Sequence, residues 1–454
     1  MAAAGVKDKE KGLGGVKGWI QGDEEGLIRH GSIMFAASMV VNLSNYLFQI
    51  FMSRSLGNAD FATMKSLVDI FMIVALPISA IQTTTANYVA RLKVLGRYDQ
   101  IAALFFRSMK KVLIFSAVGL AGFTIFSGAI SAYLRIDDPI PVMIIGVALA
   151  IALTHPAISG ILQGLQRFMY LGMVQAGGAM IRLIFGVVTV LLGYGVNGAV
   201  GASVASGIFI LVVFVPLLRL FFSQDRAVEV ASQEVYRYLV PVFISLGCLS
   251  VISYVDGGIV VKHYFSGEEA GIYQKAAIIG KAFLYFPAAL VVVLFPKASE
   301  LYTSRGRSTG LLTMTVWYSS VISVLGIGLC FLLSDFVASM IAPQLSEVEV
   351  KQISALLKYF GLAITPIALI SILVNYNLAV HRMKFIYVIL CGMVLYVAAL
   401  FVFHNSFWEI LWVMGICNWG AFVFSWGFTL IAERKAAGTG FPDSKKIRQK
   451  RPDA

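Results

Sequence analysis

An all-α polytopic membrane protein of about twelve transmembrane helices, in two pseudo-symmetric six-helix lobes, is predicted by three features of the sequence. Of 454 residues, 58% are hydrophobic and 13% charged, with a mean hydropathy of +0.82, far above the apolar share of a soluble domain. Apolar runs of ~20 residues, each able to cross a ~30 Å hydrocarbon core as a helix, recur along the whole chain. A shift of 210 positions lays scarce residue types of the first half on the same types in the second.

Taken in order, segment 1–30 carries mixed charges and no signal-peptide core, so it reads as a cytoplasmic amino-terminal segment. Spans are predicted near 31–52, 66–87, 112–132, 140–162, 170–192 and 198–217, which make an amino-terminal lobe over 31–222. A cytoplasmic linker, 223–238, leads to spans near 239–261, 276–295, 311–333, 353–379, 385–403 and 407–432, which make a carboxy-terminal lobe over 239–432. The last segment, 433–454, is a basic cytoplasmic tail ending "SKKIRQKRPDA".

Net charge is +12, and its placement decides what it means. On the side of the amino terminus the loops and tails hold 27 Lys and Arg, against 6 on the other. That asymmetry predicts both termini in the cytoplasm. It also sets the basic tail against anionic lipid, with no nucleic acid as partner.

The shift by 210 pairs Gly57 with Gly267, Lys65 with Lys275, Pro77 with Pro287, Gly96 and Arg97 with Gly306 and Arg307, and Pro156 with Pro366. It moves the second span onto the eighth. An even number of spans preserves orientation, so the halves are parallel repeats flanking a central cleft. Pro77 and Pro287 sit mid-span, where each removes a backbone hydrogen bond and bends its helix. Such bends are tolerated best against protein or a wet cavity, which predicts that both helices face the cleft.

Three basic residues fall within spans: Arg182, Lys281 and Lys358. Lys358 is near a helix end and can snorkel. Lys281 lies about ten residues, ~15 Å, from the outer end of its span, too deep for easy snorkelling. Lys275, six residues earlier, is expected at the outer rim, with Lys65 at the same level of the other lobe. Two carboxylates, Asp69 and Asp256, are at comparable depth. Either Asp256 pairs with Lys281 inside the carboxy-terminal lobe, or Asp69 meets Lys281 across the cleft as an outer gate. Both acids are also candidates to carry a coupling H+ or Na+. Arg182, amid Gly177, Gly178 and Gly186, either faces the cleft or ties helices together within its lobe. Asn42, Asn45, Tyr46, Gln82, Thr83 to Thr85, Asn375 and Asn377 interrupt apolar stretches, as cleft groups or interhelical glue. His155 reads as a packing histidine.

The stretches "SRSLGNADFATMKSLVDI" (53–70), "LQGLQRF" (162–168), "GGAMIRLIFGVVTVLLGYGVNGAVGASVASG" (177–207) and "YFSGEEAGIYQKAAIIGKAFLYFPAALVVVLFPKASE" (264–300) resemble oligosaccharide flippases. These form the polysaccharide-transporter branch of the multidrug/oligosaccharidyl-lipid/polysaccharide (MOP) exporter superfamily. The resemblance runs from about residue 30 to 432. It implies a MATE-like two-lobed transporter that moves lipid-linked oligosaccharide to the outer leaflet by alternating access, in a bacterial inner membrane.

A polyprenyl-diphosphate-linked sugar of the kind the resemblance implies combines a greasy tail, a diphosphate and many hydroxyls. A buried diphosphate must meet cations, because desolvation of an unpaired anion is prohibitive. Arg182, Lys281, Lys275 and Lys65 are the candidate diphosphate ligands, Asn45 and Gln82 candidate sugar contacts, and Asp69 and Asp256 candidate gating or coupling acids. A monomer is expected, with membrane lipids and polysaccharide-assembly proteins as further partners.

Two alternatives remain. Flippases of the peptidoglycan precursor lipid II typically have fourteen helices, two more than are read here. A multidrug and toxin extrusion antiporter shares the two-lobed plan, but its cleft should favour acids over bases.

No Gly-rich phosphate loop, HExxH or CxxC occurs, and Asp137 and Asp138 read as a helix-end turn before Pro139. Cys248, Cys330, Cys391 and Cys417 fall inside spans without ligand spacing. A transporter with no cofactor and no metal is therefore expected, and not an enzyme.

Overall fold

The computed structural model describes residues 27–222, 232–285, 309–380 and 382–438. Among them all regular structure is helical. The helices are α1 (Leu27–Ser55), α2 (Asn58–Val94), α3 (Tyr98–Ile125), α4 (Ser127–Tyr133), α5 (Ile140–Ala152), α6 (His155–Gly164), α7 (Phe168–Leu191) and α8 (Gly195–Phe222). There follow α9 (Ser232–Val255), α10 (Gly267–Gly280), α11 (Thr309–Ile341), α12 (Glu347–Ala379), α13 (Phe385–Val402) and α14 (Phe407–Gly438). Two helices change type without a break. α9 runs on through a π-helical turn, Asp256–Val261, to an α-turn at Lys262–Tyr264, and α10 runs on as a 3₁₀ segment, Lys281–Tyr285.

Ten of these stretches are long and apolar enough to cross a membrane, and α3 with α4, bent by 59° at their junction, adds an eleventh. The predicted eighth span, 276–295, lies partly outside the described residues, as do Pro287, Gly306 and Arg307. The chain is a multi-pass membrane protein.

The helices overrun the predicted spans. Segment 88–111, read as a basic loop, is helical except at 95–97, because α2 and α3 extend past their apolar parts. Leu95 to Arg97 make the reversal: Gly96 has φ +68° and Arg97 N–H returns to the Leu92 carbonyl at 3.0 Å, a left-handed helix end that glycine suits. The predicted fourth span is broken at Leu153 and Thr154, and Pro156 then stands in the first turn of α6, where its missing N–H costs nothing. α12 opens on a capping box in which the Glu349 carboxylate accepts from Ser346 N–H at 3.0 Å and Ser346 Oγ accepts from Glu349 N–H at 3.4 Å.

The chain divides into two compact units. One comprises Met1–Leu246 with Phe265–Gly271, the other Gly247–Tyr264 with Ile272–Ala454. In the first, α6 lies on α2 through Gly160 and Gly164. A Cβ on Gly160 would stand 2.7 Å from the Gln82 carbonyl oxygen, and one on Gly164 2.7 Å from that of Ala86. Small residues four apart bring backbones together where apolar burial alone gives helices little reason to associate. Val89, Ile101, Phe105, Ile161, Leu162 and Phe214 close the core at that end of the unit. In the second unit α12 is the central element, with nearly every residue from Phe360 to Ala379 buried.

Candidate functional site

The second unit holds a buried acid and base on consecutive membrane helices. Asp256, wholly buried, opens the π-turn that follows α9. Its Oδ1 accepts from Lys281 Nζ at 2.9 Å, and its Oδ2 accepts from the Tyr273 hydroxyl at 2.8 Å. The ammonium also stands 5.2 Å from the centre of the Tyr254 ring, within cation–π range. An ammonium at a span centre costs ~2.5–3.5 kcal/mol on insertion scales, and here the carboxylate and the ring face offset it. Of the two pairings left open by the sequence, the one inside the lobe is present.

Asp69 instead accepts from Lys65, one turn earlier on α2. Lys65 is 5% exposed and Lys275 is 0% exposed, so the expectation of two rim lysines is corrected. Burial of Lys65 is compatible with its charge because the acid partner is built into the same helix face. Ahead of Lys275, the start of α10 packs on α2: a Cβ on Gly271 would stand 2.3 Å from the Asn58 carbonyl oxygen.

Arg182 lies mid-way along α7 and points at α1. Its Nη1 donates to Asn45 Oδ1 at 3.4 Å, a long contact, and its guanidinium stands 4.5 Å from the Phe48 ring centre. No carboxylate pairs with it among the described residues. Gly186 lets α1 come this near, since a Cβ there would be 2.6 Å from the Phe48 ring. Gln82 donates to Gln163 of α6 at 3.1 Å, and Asn377 donates to Thr429 of α14 at 2.9 Å, both as interhelical glue. His155 is packed near Gly207.

Three polar features of the second unit were not singled out from the sequence. Tyr273 completes the Asp256 pair. Beside it Gln274 is 1% exposed, and neither its amide oxygen nor its nitrogen has a partner among the described residues. This amide rests on Gly257, where a Cβ would stand 2.6 Å from Nε2. Thirdly, Glu433 is buried on α14, which continues into the predicted tail. Its Oε1 accepts from the Tyr376 hydroxyl at 2.6 Å and faces Arg382 Nη2 at 2.8 Å, while Oε2 accepts from Thr309 Oγ1 at 2.9 Å. Tyrosines and glutamine in apolar runs give no warning of such partners. The signal for Glu433 was its position in a helical period continuous with the last span.

The four cysteines are free thiols, and no cluster of three His, Cys, Asp or Glu side chains able to hold a metal occurs among the described residues.

No protein-family model matches the chain, and no curated protein matches it significantly. Solved structures do. An inward-facing multidrug resistance MATE family transporter of the MOP superfamily superposes with a TM-score of 0.72 at 14% identity, over 90% of this chain and 99% of that one. A MATE structure in complex with MaD3S gives 0.68 at 13% identity, over 92% and 98%. A MOP superfamily transporter from Pyrococcus furiosus, described by the reverse polarity of its binding pocket and a suggested different function, gives 0.64 at 15% identity, over 91% and 98%. Over about nine-tenths of its length, the chain shares the fold of these MATE and MOP superfamily transporters.

Proposed function

We propose that this protein is a flippase that carries polyprenyl-diphosphate-linked oligosaccharide from the inner to the outer leaflet by alternating access, for surface polysaccharide synthesis. The observation that carries the reading is Arg182, a deep guanidinium whose contacts among the described residues are one amide oxygen and one ring face. A desolvated cation without a counter-ion is costly, and a planar fork of donors matches a phosphate bidentately. Lys65 and Lys281 are each paired with an acid in this structure and would have to leave it to meet a diphosphate. Lys275 is the fourth cation of the set, Asn45 presents Arg182, and Gln82 is offered as a sugar contact. Both termini lie in the cytoplasm of a bacterial cell, and the protein works as a monomer.

A second reading is a cation-coupled extrusion antiporter, favoured by the fold shared with MATE transporters described as multidrug resistance proteins. Asp69 and Asp256 would then be the coupling acids for H+ or Na+. Against it, both acids already hold a lysine, which leaves little negative charge for a cationic drug. The Pyrococcus protein of reversed pocket polarity is a precedent for this fold with a suggested different function. A lipid II flippase is the same chemistry with a different glycan.

Leaflet-resolved assay of lipid-linked oligosaccharide in proteoliposomes tests the proposal. Arg182→Ala should lower the initial rate at least tenfold and Arg182→Lys less. Equal rates in wild type and Arg182→Ala would refute the assignment. Uptake of a cationic dye driven by a proton or sodium gradient, with no lipid-linked sugar moved, would favour the antiporter.

A further inference from the structure

The pair Asp256 and Lys281 joins two helix irregularities. Asp256 is the first residue of the π-turn, and Lys281 is the first residue of the 3₁₀ segment. One helix is underwound from its acid onward, its neighbour overwound from its lysine onward, and a 2.9 Å hydrogen bond ties the two junctions together. Tyr273, on the α-helical part of α10, adds a second tie to the same carboxylate at 2.8 Å. A π-turn within a helix has poorer hydrogen bonds than an α-helix and recurs at functional sites, and a 3₁₀ stretch is likewise a less favourable winding.

Gln274 supplies an independent observation. A buried primary amide with unmade bonds costs ~1–3 kcal/mol per unsatisfied group, and this one has no partner for either atom while resting against Gly257 within the π-turn. Changing the π-turn to α-helix rotates each following residue by ~100° and redirects its backbone groups. The side chain is thus placed beside the one stretch of backbone whose register can change, in a state where its own bonds are missing.

We propose that Asp256 and Lys281 form a latch that sets the register of both helices, and that Gln274 is satisfied in the alternative register, when the latch is open. The device does not depend on which cargo is moved.

Hydrogen–deuterium exchange of the full chain in lipid nanodiscs reads the latch directly. In Asp256→Asn, exchange at 256–261 and 281–285 should accelerate together by about tenfold, with the remaining helices unchanged. Tyr273→Phe, which keeps both charges, should accelerate the same two segments by a smaller factor and guards against a variant that fails to insert. Gln274→Met should slow both segments below wild type, because the open register loses its amide bonds. Acceleration spread evenly over the molecule, acceleration of one segment without the other, or no effect of Gln274→Met would overturn the proposal. Exchange is read without cargo, so this outcome stands apart from any result of the flipping assay.

Discussion

Removing Lys281 alone leaves the Asp256 carboxylate buried with one hydroxyl donor, whereas removing both charges leaves neither in need of a partner. Breaking a buried pair from one side typically costs ~3–5 kcal/mol, while replacing both members is often near neutral. Lys281→Met should therefore lower the thermal midpoint in detergent markedly, and Asp256→Asn with Lys281→Met should recover most of the loss. A double variant no better than the single would mean that the pair is not one energetic unit. These two residues were legible in the sequence because charge inside an apolar run is scarce and has to be compensated, so counting residues from the span ends brings the partners to one depth. Tyr273 and Gln274 were not, because such side chains within spans are common and what they lie against, Asp256 and Gly257, is on another helix. Arg182 was legible as a deep cation, but its direction toward Asn45 and Phe48 depends on Gly186, whose role becomes visible only once α1 and α7 are packed.

At the scale of helices, Gly96 and Pro156 mark a reversal and a restart, but the sequence reading uses them only as repeat matches and runs its fourth span straight through Pro156. The 59° bend between α3 and α4 has no proline at its junction, and the extra residue of a π-turn leaves no mark of its own in the run Asp256–Val261. The long extensions of α2 and α3 escaped for a similar reason, since hydropathy reports the hydrocarbon-spanning part of a helix and not its length. Close packing of α6 on α2 leads to a specific expectation. Gly164→Val would push branched carbons into Val89 and the Ala86 carbonyl and should destabilise by about 1–3 kcal/mol, seen as lower yield of monodisperse protein and a lower thermal midpoint. The Glu433 cluster ties α11, α12 and α14 at one end of the second unit. Arg382→Met removes its only cation among the described residues and should cost about 3 kcal/mol, whereas Thr309→Val should cost about 1 kcal/mol. A smaller effect of Arg382→Met than of Thr309→Val, measured by thermal unfolding, would remove the ion pair from the stability of that end.

For the whole molecule, charge placement and chain path each make a prediction. The excess of Lys and Arg on one side, 27 against 6, should place both ends of the chain in the cytoplasm. A fluorescent protein fused after Ala454 should then glow, and alkaline phosphatase fused at Asp137 should be active; the reverse pattern would invert the topology. The path of the chain is a stronger constraint on folding. It passes from one compact unit to the other at 246–247, 264–265 and 271–272, inside or beside helices and not in the linker that the sequence singled out at 223–238. A cut within that linker therefore does not separate two independent cores, because 232–246 and 265–271 belong with the first unit. Fragment 1–230 expressed alone lacks those segments and leaves apolar faces of its helices unpartnered, so it should be degraded or aggregate. Expressed together with fragment 231–454, it should regain protease resistance and co-purify, since the missing helical segments are then supplied in trans. Stable, protease-resistant fragment 1–230 on its own would show that the first unit closes without segments 232–246 and 265–271.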